Sequence, residues 1–499
     1  MFSVKEAHID FATIPDRALP IVDGQELKVV SDTWFENNHP GSEQITVNYV
    51  ECNRQDVDAA VSAARRSFDD GRWASLSPMT RKTILLDLAD KIEAAADKIG
   101  LMDCVEMGRP ISHAVSDARF LSAGILRYHA EGIDKLYGTV APSCAASHVI
   151  QSWVPCGVVA AITPWNFPSV NAMVKIAPAL AMGNSCVLKP SETASLSALC
   201  IAELALEAGV PEGVLNVLTG SGKSGQMLAE HPDVDMIAFT GSTETGRSLL
   251  ASAGVGTLKR TLLECGGKSP QIVFADMEEM DIDLLAARLL ADIMWNSGQV
   301  CVAKSRLIIQ QSLHDKLKGR LVRALDDYKL ADPLLLETQF GPLGLVSQQE
   351  KVNSIIADAV ASGAEAVVSS TAFPSRGCYV PPTLLFDVAP ESRAVREEIF
   401  GPVLTVQAFD TAEDAISMAN LTETGLAASV WTKDVVIAHQ LGNRIRAGDV
   451  TIHGTLQEVE GAGFAGIGEP MKSSGFGTET GIAGLQSYAI RKSVSFSFG

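Results

Sequence analysis

The chain's 499 residues exceed what one hydrophobic core usually holds, so we expect two or more domains. With 46% hydrophobic and 20% charged residues, its composition is that of an ordinary globular protein and excludes a largely disordered chain. The 40 basic and 59 acidic residues give a net charge of -19, which argues against nucleic acid and anionic membranes as partners, because both require basic patches.

The N-terminus lacks the basic and apolar regions of a secretory signal, and the apolar stretch 154–162 is too short to span a bilayer. The 9 cysteines are scattered and form no CxxC pair, which favours reduced thiols over a disulfide framework or a zinc site. The 9 histidines are equally dispersed. We therefore expect a cytoplasmic protein with no metal site.

Apolar residues recur at helical spacing among charged ones at 56–68, 77–99 and 114–132, which predicts three amphipathic helices. The stretches 139–154 and 485–498 show alternating character and predict strands. An alternating strand at the end of a chain can leave an unpaired sheet edge, which is a liability unless another chain covers it.

A continuous apolar strand is predicted at 156–163, of the kind buried on both faces of a parallel sheet. Further strands and helices alternate after it and predict a doubly wound α/β domain. Ligands of such sheets bind outside the carboxyl ends of the strands. The strands are at 185–188, 214–217 and 236–239, and the helices are at 195–208 and 222–230.

Two glycine-containing turns in this region could receive a phosphate. The turn 220–225 fits G-x-G-x-x-G, a weak pattern when alone, and a Walker A motif fails because its first glycine would fall at Val217. The turn Thr240-Gly-Ser242 is the stronger candidate, because it leads directly from a strand into a helix whose first N–H groups can bind an anion. Ser242 could equally be an ordinary helix N-cap.

Lys189 and Glu192 follow another predicted strand end. A carboxylate at Glu192 can accept hydrogen bonds from ribose hydroxyls and would repel a 2′-phosphate. The alternative is a surface ion pair between Lys189 and Glu192 at a helix start.

A second α/β unit is predicted from 267 to 470. It contains strands at 271–274, 365–369, 405–409 and 428–432, and helices ending at 295, at 313–330 and at 347–362. The apolar helical segment before Ser297-Gly298 and the β-branched run after Cys301 place this cysteine on a turn between ordered elements. A thiol there is well aimed for nucleophilic attack, although an isolated cysteine is more often a small buried hydrophobe.

Four stretches of the chain together resemble the motifs of the NAD(P)-dependent aldehyde dehydrogenase family. The resemblance extends from about residue 20 to the C-terminus, and it is nearest to broad-specificity bacterial aldehyde and aminoaldehyde dehydrogenases. The stretches are Thr163-Pro-Trp-Asn-Phe-Pro168, Leu263-Glu-Cys-Gly-Gly-Lys268, the Cys301 turn and Glu397-Glu-Ile-Phe-Gly-Pro-Val403.

This resemblance implies an α/β fold with two doubly wound α/β domains and a small β oligomerisation sheet. It assigns 1–138 and 156–266 to an NAD-binding domain and 267–470 to a catalytic domain that faces it across a cleft. The oligomerisation strands are then 139–155 and 484–499, which implies a homodimer or homotetramer.

The resemblance also implies oxidation of an aldehyde to the free acid through a thiohemiacetal and a thioester on Cys301. Asn166 and the Cys301 backbone N–H would stabilise the oxyanion, and Glu264 would activate water. A carboxylate at Glu264 argues against coenzyme A as acceptor. Lys175 and Glu479 match positions associated with site geometry and proton relay, although the arginine that usually precedes the glutamate is Thr478 here.

By the same resemblance NAD is the cofactor, with NADP possible because Lys189 could tolerate a phosphate. The implied cofactor-binding residues are Thr163, Trp165, Lys189, Ser191, Glu192, Gly222, Thr240, Gly241, Ser242, Gly266, Glu398 and Phe400. The implied substrate-pocket residues are Phe167, Asn171, Trp295, Val300, Val302, His453 and Phe464.

Departures from the family pattern fall on the substrate side. Val174 replaces a common aromatic, Asn171 is polar, and the segment 451–454 replaces a more usual Val-Asn. The segment 455–470 is also divergent, and its acidic residues could attract an aminoaldehyde, although they could equally form a solvated face; they are Glu458, Glu460 and Glu469. Two other functions stay open: a cysteine-dependent esterase or thioesterase, and a non-catalytic nucleotide-binding relative.

Overall fold

Two large, mostly parallel sheets organise the chain in the computed structural model, which describes residues 11–28, 33–42, 44–254, 257–457 and 468–498. Three smaller sheets accompany them. The α/β fold class expected from the sequence is confirmed.

The first large sheet has eight strands, and its five central strands are parallel. All five residues of strand Val158–Ile162 are buried. Val158 and Ala160 pack in one core cluster and Ala161 in another, as expected for a strand covered on both faces. In order the strands are Gly475–Phe476, Arg260–Glu264, Met236–Thr240, Val158–Ile162, Ser185–Lys189, Leu215–Val217, Ile21–Val22 and Gln25–Glu26.

The strand order reverses between Val158–Ile162 and Met236–Thr240. From Val158–Ile162 the chain proceeds to Ser185–Lys189 on one side and later returns to Met236–Thr240 on the other. The loops that leave the carboxyl ends of these two neighbours diverge and open a crevice, which is where ligands of doubly wound sheets bind.

The second large sheet has seven strands, six of them parallel. Both faces of this sheet are also covered, since the consecutive residues Ile308 and Ile309 pack in different core clusters. In order the strands are Glu365–Val368, Thr383–Phe386, Val403–Phe409, Arg306–Gln310, Pro270–Val273, Ala427–Trp431 and Asp449–His453.

The smaller sheets lie outside these two. Strand Ala489–Ser497 pairs along its whole length with Ser147–Pro155 and leaves its other edge exposed, which agrees with the strands expected at both places. The sheets are Arg17–Ala18 with Ile45–Val50 and Trp34–Asn38, Thr424–Gly425 with Met471–Lys472, and Ala489–Ser497 with Ser147–Pro155 and Thr139–Val140.

Sixteen α-helices and a π-helical segment, Asp117–Ser122, occur in the described ranges, and none of their helices is long and apolar enough to cross a membrane. The α-helices are Arg54–Asp69, Pro78–Ala94, Ala96–Met107, Ile111–Ser116, Ala123–Gly132, Pro168–Ala181, Leu196–Glu207, Gly222–Glu230, Thr243–Ala253, Ile282–Met294, Gln311–Ala324, Val346–Ala361, Arg393–Arg396, Ala412–Ala419, Val435–Arg444 and Gly481–Ser487.

Three sequence predictions need correction. The helix expected at 77–99 is two helices, because the backbone leaves helical geometry at Ala95 and the second helix turns into the core. The helix expected at 114–132 is interrupted by the π-helical segment. The strand expected from 485 begins only at Ala489, because helix Gly481–Ser487 precedes it.

Arg306 connects the second sheet to two neighbouring segments. Its buried guanidinium donates hydrogen bonds to the carbonyls of Lys268 at 2.9 Å, Met418 at 2.8 Å and Ala419 at 2.9 Å. We expect Arg306→Met to destabilise the protein by about 3 kcal/mol or more, because three buried acceptors lose their donor. The exposed ion pair of Arg320 with Asp283 provides the control, since Arg320→Met should cost less than about 1 kcal/mol.

Thermal unfolding of both variants measures the difference. A melting temperature of Arg306→Met no lower than that of Arg320→Met would contradict this role of Arg306.

Candidate active site

A cavity of about 320 Å³ lies where loops of the two large sheets meet. Loops that follow strands of the first sheet enter from one side, carrying Asn166 and Ser242. Loops that precede strands of the second sheet enter from the other side, carrying Cys301 and Phe400. The structure therefore brings the expected nucleophile and two of the expected binding motifs to one cleft.

The turn before Cys301 has an unusual backbone. Asn296, Ser297 and Gly298 have successive φ angles of 49°, 55° and 75°, in the left-handed region that non-glycine residues avoid. Such strain persists only where the surroundings fix the conformation. Three consecutive residues of this kind indicate that the turn is held in a conformation that positions Cys301.

Buried side-chain hydrogen bonds hold this turn. The Asn296 amide donates to the carbonyls of Asn166 at 2.9 Å and Gln299 at 3.3 Å. The Ser297 hydroxyl donates to the Gly341 carbonyl at 2.8 Å. Gln299 donates to the Asn296 carbonyl at 3.0 Å and accepts from the Gly344 N–H at 2.7 Å. These bonds fix Cys301 against both sheets.

Asn166 lies across the cavity from the turn and is bonded to it. Its side-chain amide donates to the Gln299 carbonyl at 2.9 Å. The amide nitrogen carries two hydrogens, so one N–H remains for an oxygen in the cavity. Asn166 is therefore free to donate a hydrogen bond to an oxygen in the cavity while it stays anchored to the turn.

The half-buried Cys301 is a protonated thiol at neutral pH. Burial raises the pKa of Cys301 to about 12, and the nearby Glu398 and Glu264 carboxylates contribute to this increase. The thiol can attack a carbonyl only if a base accepts its proton. The contribution of Glu264 shows that this carboxyl is within electrostatic reach of the sulfur.

Glu264 ends strand Arg260–Glu264 and belongs to a buried group of charges beside the cavity. Burial raises the pKa of Glu264 well above its ordinary value, Glu479 raises it further, and Lys175 opposes the increase. The Lys175 ammonium, which is fully buried, donates to the Glu479 carboxylate. Glu264 itself is not among the cavity-lining residues.

The expected nucleotide contacts fall into two groups. Seven line the cavity: Trp165, Thr240, Gly241, Ser242, Gly266, Glu398 and Phe400. The other five, Thr163, Lys189, Ser191, Glu192 and Gly222, surround the neighbouring strand end outside the cavity.

Several features of these residues fit a dinucleotide. The buried hydroxyls of Thr240 and Thr163 have no hydrogen-bond partner within the described ranges. Ser242 caps helix Thr243–Ala253, accepting from the Thr245 N–H at 3.1 Å, so the N-cap interpretation is confirmed and the phosphate contact stays a prediction. A Cβ on Gly266 would lie 2.1 Å from a carboxylate oxygen of Glu398, so a larger residue there would displace the Glu398 side chain.

The second group surrounds a buried lysine. Lys189 is 3% exposed and lies 3.7 Å from the carboxylate of Glu192, so the ion pair considered for the sequence does form. Its ammonium is also near Glu51, which accepts hydrogen bonds from the N–H and hydroxyl of Ser221 at 2.9 and 3.1 Å. The Glu192 side chain remains 46% exposed and is available to ribose hydroxyls.

Five of the seven expected substrate-pocket residues line the cavity. They are Phe167, Asn171, Trp295, Val300 and Val302. The structure does not bring His453 to it, because this residue ends an edge strand of the second sheet and stacks on Trp431 with ring centroids 4.0 Å apart. Phe464, Glu458 and Glu460 lie outside the described residues.

Sequence reasoning missed six cavity-lining residues. Val170 could have been found, because it follows Phe167 by one helical turn. Lys351 and Leu121 gave no local signal, since each sits in an ordinary amphipathic helical pattern. The six are Leu121, Pro164, Val170, Cys265, Gln348 and Lys351.

The sequence and the fold are similar to those of known proteins. Residues 28–494 match the profile of the Aldehyde dehydrogenase family. The chain is 39% identical to the NADP/NAD-dependent aldehyde dehydrogenase PuuC of Escherichia coli (strain K12), covering 95% of each chain. It is 39% identical to the aminoacetaldehyde dehydrogenase of Pseudomonas aeruginosa, covering 93% of this chain and 92% of the relative. A solved indole-3-acetaldehyde dehydrogenase complexed with NAD+ superposes with a TM-score of 0.93, at 39% identity and 98% coverage of both chains.

The left-handed turn supplies a direct test of the site geometry. A Cβ at Gly298 would lie 2.1 Å from the Gly401 carbonyl oxygen, and φ there is 75°. We expect Gly298→Ala to shift the Cys301 turn, to lower stability by about 1–3 kcal/mol and to abolish most catalytic activity.

Gly319→Ala is the matched control. Gly319 lies exposed within helix Gln311–Ala324, and nothing is within 4 Å of a Cβ built on it. This change should stabilise the protein by about 0.5–1 kcal/mol and leave activity intact. Thermal melting and steady-state rates compare the two, and a fully active Gly298→Ala protein would show that the turn does not aim the nucleophile.

Proposed function

The chain belongs to the aldehyde dehydrogenase family, and we propose that it oxidises an aldehyde to the free carboxylic acid with NAD as hydride acceptor. One observation carries this proposal: Cys301 and Asn166 line the same cavity as the Thr240–Ser242 turn, with Glu264 close enough to raise the pKa of Cys301. A nucleophile, an oxyanion donor, a base and a nucleotide groove thus converge at one place.

In the first step the Cys301 sulfur bonds to the carbonyl carbon while its proton passes to Glu264. A base with a raised pKa suits this transfer, because proton acceptance is efficient when the pKa of the base approaches the working pH. The negative charge that develops on the substrate oxygen is stabilised by the second N–H of Asn166 and by the Cys301 backbone N–H. Loss of one such donor typically lowers the rate by about 10²–10³-fold.

The adduct on Cys301 is a thiohemiacetal. Its oxygen–carbon bond regains double-bond character as the carbon loses hydride, which leaves a thioester on the sulfur. NAD, when bound, supplies the acceptor of this hydride. The residues that would hold it are those of the two nucleotide groups described above.

Glu264 first gives up the proton that it took from the thiol, and it then removes a proton from water, which attacks the thioester. Collapse of the tetrahedral adduct breaks the carbon–sulfur bond and releases the acid, and the sulfur takes its proton back from Glu264. The buried Lys175–Glu479 pair interacts electrostatically with Glu264 and offers a route by which the thiol's proton leaves Glu264. Because Glu264 activates water, the product is the free acid and not a thioester of coenzyme A.

Cofactor choice depends on the strand end at Lys189. The exposed Glu192 carboxylate and the nearby Glu51 both disfavour a 2′-phosphate, whereas the buried Lys189 ammonium favours one. We therefore propose NAD as the preferred cofactor, with NADP also accepted.

We further propose that 1–138 with 156–266 binds NAD, that 267–470 carries the nucleophile, and that 139–155 with 484–499 mediates assembly into a homodimer or homotetramer. The exposed edge strand Ala489–Ser497 supports the assembly, because Val494 and Phe496 are 37% and 40% exposed on it. A cytoplasmic location stays a prediction.

Hydrolysis of activated esters is a second activity of the same residues. Attack by Cys301 and hydrolysis assisted by Glu264 require no hydride acceptor, so an ester of a good leaving group can form the same thioester. This activity accompanies aldehyde oxidation and does not replace it.

Cys301→Ala tests the nucleophile. We expect the variant to lose NADH formation and ester hydrolysis by on the order of 10³-fold or more, because both begin with attack by the sulfur. NAD binding, followed by quenching of tryptophan fluorescence, should persist. Cys144→Ala, at an exposed cysteine of the small sheet, is the control and should retain both activities. Wild-type rates in Cys301→Ala would refute the assignment.

Glu264→Gln tests the base. The raised pKa of Glu264 means that the carboxyl is protonated, and so inactive as a base, at low pH; wild-type kcat should rise as pH increases through this pKa. The glutamine variant should lose that dependence and be slower by about 10²–10⁴-fold. Glu423→Gln, at a side chain 87% exposed, should match the wild-type pH profile. If kcat of Glu264→Gln still fell at low pH as it does in the wild type, the pH dependence would belong to another ionisable group.

A further inference from the structure

A buried arginine lies behind the aromatic wall of the cavity. Arg109 is 2% exposed, and its guanidinium carbon lies 4.5 Å from the ring centroid of Phe167 and 5.6 Å from that of Trp295. The two rings are 5.1 Å apart and both line the cavity. A permanent positive charge therefore stacks against the two largest groups of the substrate side.

Asp117 pairs with this charge, but it is the guanidinium that contacts the two rings, and one of its donors is left unsatisfied. The Nε of Arg109 donates to Asp117, whereas its buried Nη1 has no hydrogen-bond partner within the described ranges. Burial and the nearby guanidinium lower the pKa of His113 to about 4, so this neighbour adds no charge at neutral pH.

Asp117 also ties the arginine to the cavity wall through the backbone. It begins the π-helical segment Asp117–Ser122, which brings Leu121 to the lining. π-helical insertions are frequently found at functional sites. Arg109, Asp117 and the segment thus form one support behind the wall.

No negative charge among the described lining residues offsets Arg109 on this side. Leu121, Phe167, Val170, Asn171 and Trp295 are uncharged. The charged lining residues Lys351 and Glu398 belong to the nucleotide side, where they interact with each other.

Of the acidic residues expected to attract an aminoaldehyde, Glu469 lies in the described part of the chain, and it is not among the residues that line the cavity. The Glu469 carboxylate accepts the Gly477 N–H at 2.7 Å and is engaged by the backbone. Glu458 and Glu460 lie outside the described ranges.

We propose that Arg109 makes the aromatic wall unfavourable to cations, so that the enzyme selects uncharged aldehydes with bulky apolar groups over aldehydes that carry an ammonium group. A cation on one side of an aromatic ring draws π-electron density toward itself, and the rest of the ring attracts a second cation less. Direct repulsion between the two charges acts in the same direction. Arg109 is thus a positioning residue for specificity, and the inference rests on the proposed oxidation.

A pair of aldehydes of the same shape tests the proposal. In 4-(trimethylammonio)butanal a nitrogen cation replaces the quaternary carbon of 5,5-dimethylhexanal, so the two differ in charge and not in size. We expect kcat/KM for NADH formation to be at least about tenfold higher with the neutral compound. If kcat/KM for the neutral aldehyde is equal to or lower than that for the cationic aldehyde, the proposal is overturned whatever the variants show.

Two variants assign the preference to Arg109. Arg109→Met combined with Asp117→Asn removes the charge pair without leaving either partner buried alone, and it should lower the neutral-to-cationic ratio by about fivefold or more. Arg109→Lys keeps the charge and should keep most of the preference. An unchanged ratio in the double variant, or equal loss in both variants, would mean that Arg109 serves only packing.

Hexanal separates this inference from the function on which it rests. NADH formation with hexanal and a preference for the cationic aldehyde would refute the inference alone. Absence of NADH formation with all three aldehydes would refute the proposed oxidation, and the inference with it.

Discussion

The site depends on a strained turn that is held by buried amide groups. Asn296, Ser297 and Gly298 adopt left-handed geometry only because the Asn296 and Gln299 side chains satisfy the carbonyl and N–H groups around them. The same bonds reach Asn166 in a loop of the first sheet. The nucleophile, its oxyanion donor and the cleft between the two sheets are therefore fixed by one network, and a change in any member should be felt by the others.

Burial of charge is the second constraint. Desolvation is the largest influence on the pKa values of Cys301, Glu264 and Glu479, and in each case it favours the protonated form. Lys175 is the buried positive charge that opposes it at Glu264 and Glu479. A thiol that keeps its proton until a base accepts it is protected from adventitious reaction, and a carboxyl with a raised pKa is a suitable base. The raised pKa values of Cys301 and Glu264 thus support the same chemistry.

The sequence predicted those parts of the molecule whose signals are local. Strand Val158–Ile162 is an unbroken apolar run, helix Gly222–Glu230 has clear ends, and the turn at Cys301 is marked by glycine between two apolar segments. The break at Ala95 depends on the core into which the next helix turns, so local periodicity could not predict it. Arg109 contacts Phe167 and Trp295, which are far away in sequence, and no spacing rule connects them.

Trapping the covalent intermediate tests the central claim most directly. The wild-type protein should be mixed rapidly with an aldehyde and NAD, quenched in acid during the first turnover, digested and examined by mass spectrometry. We expect an acyl group, added in proportion to the NADH formed, on the peptide that contains Cys301. An acyl group on another cysteine, or NADH formation in a burst without any acylated peptide, would contradict the claim.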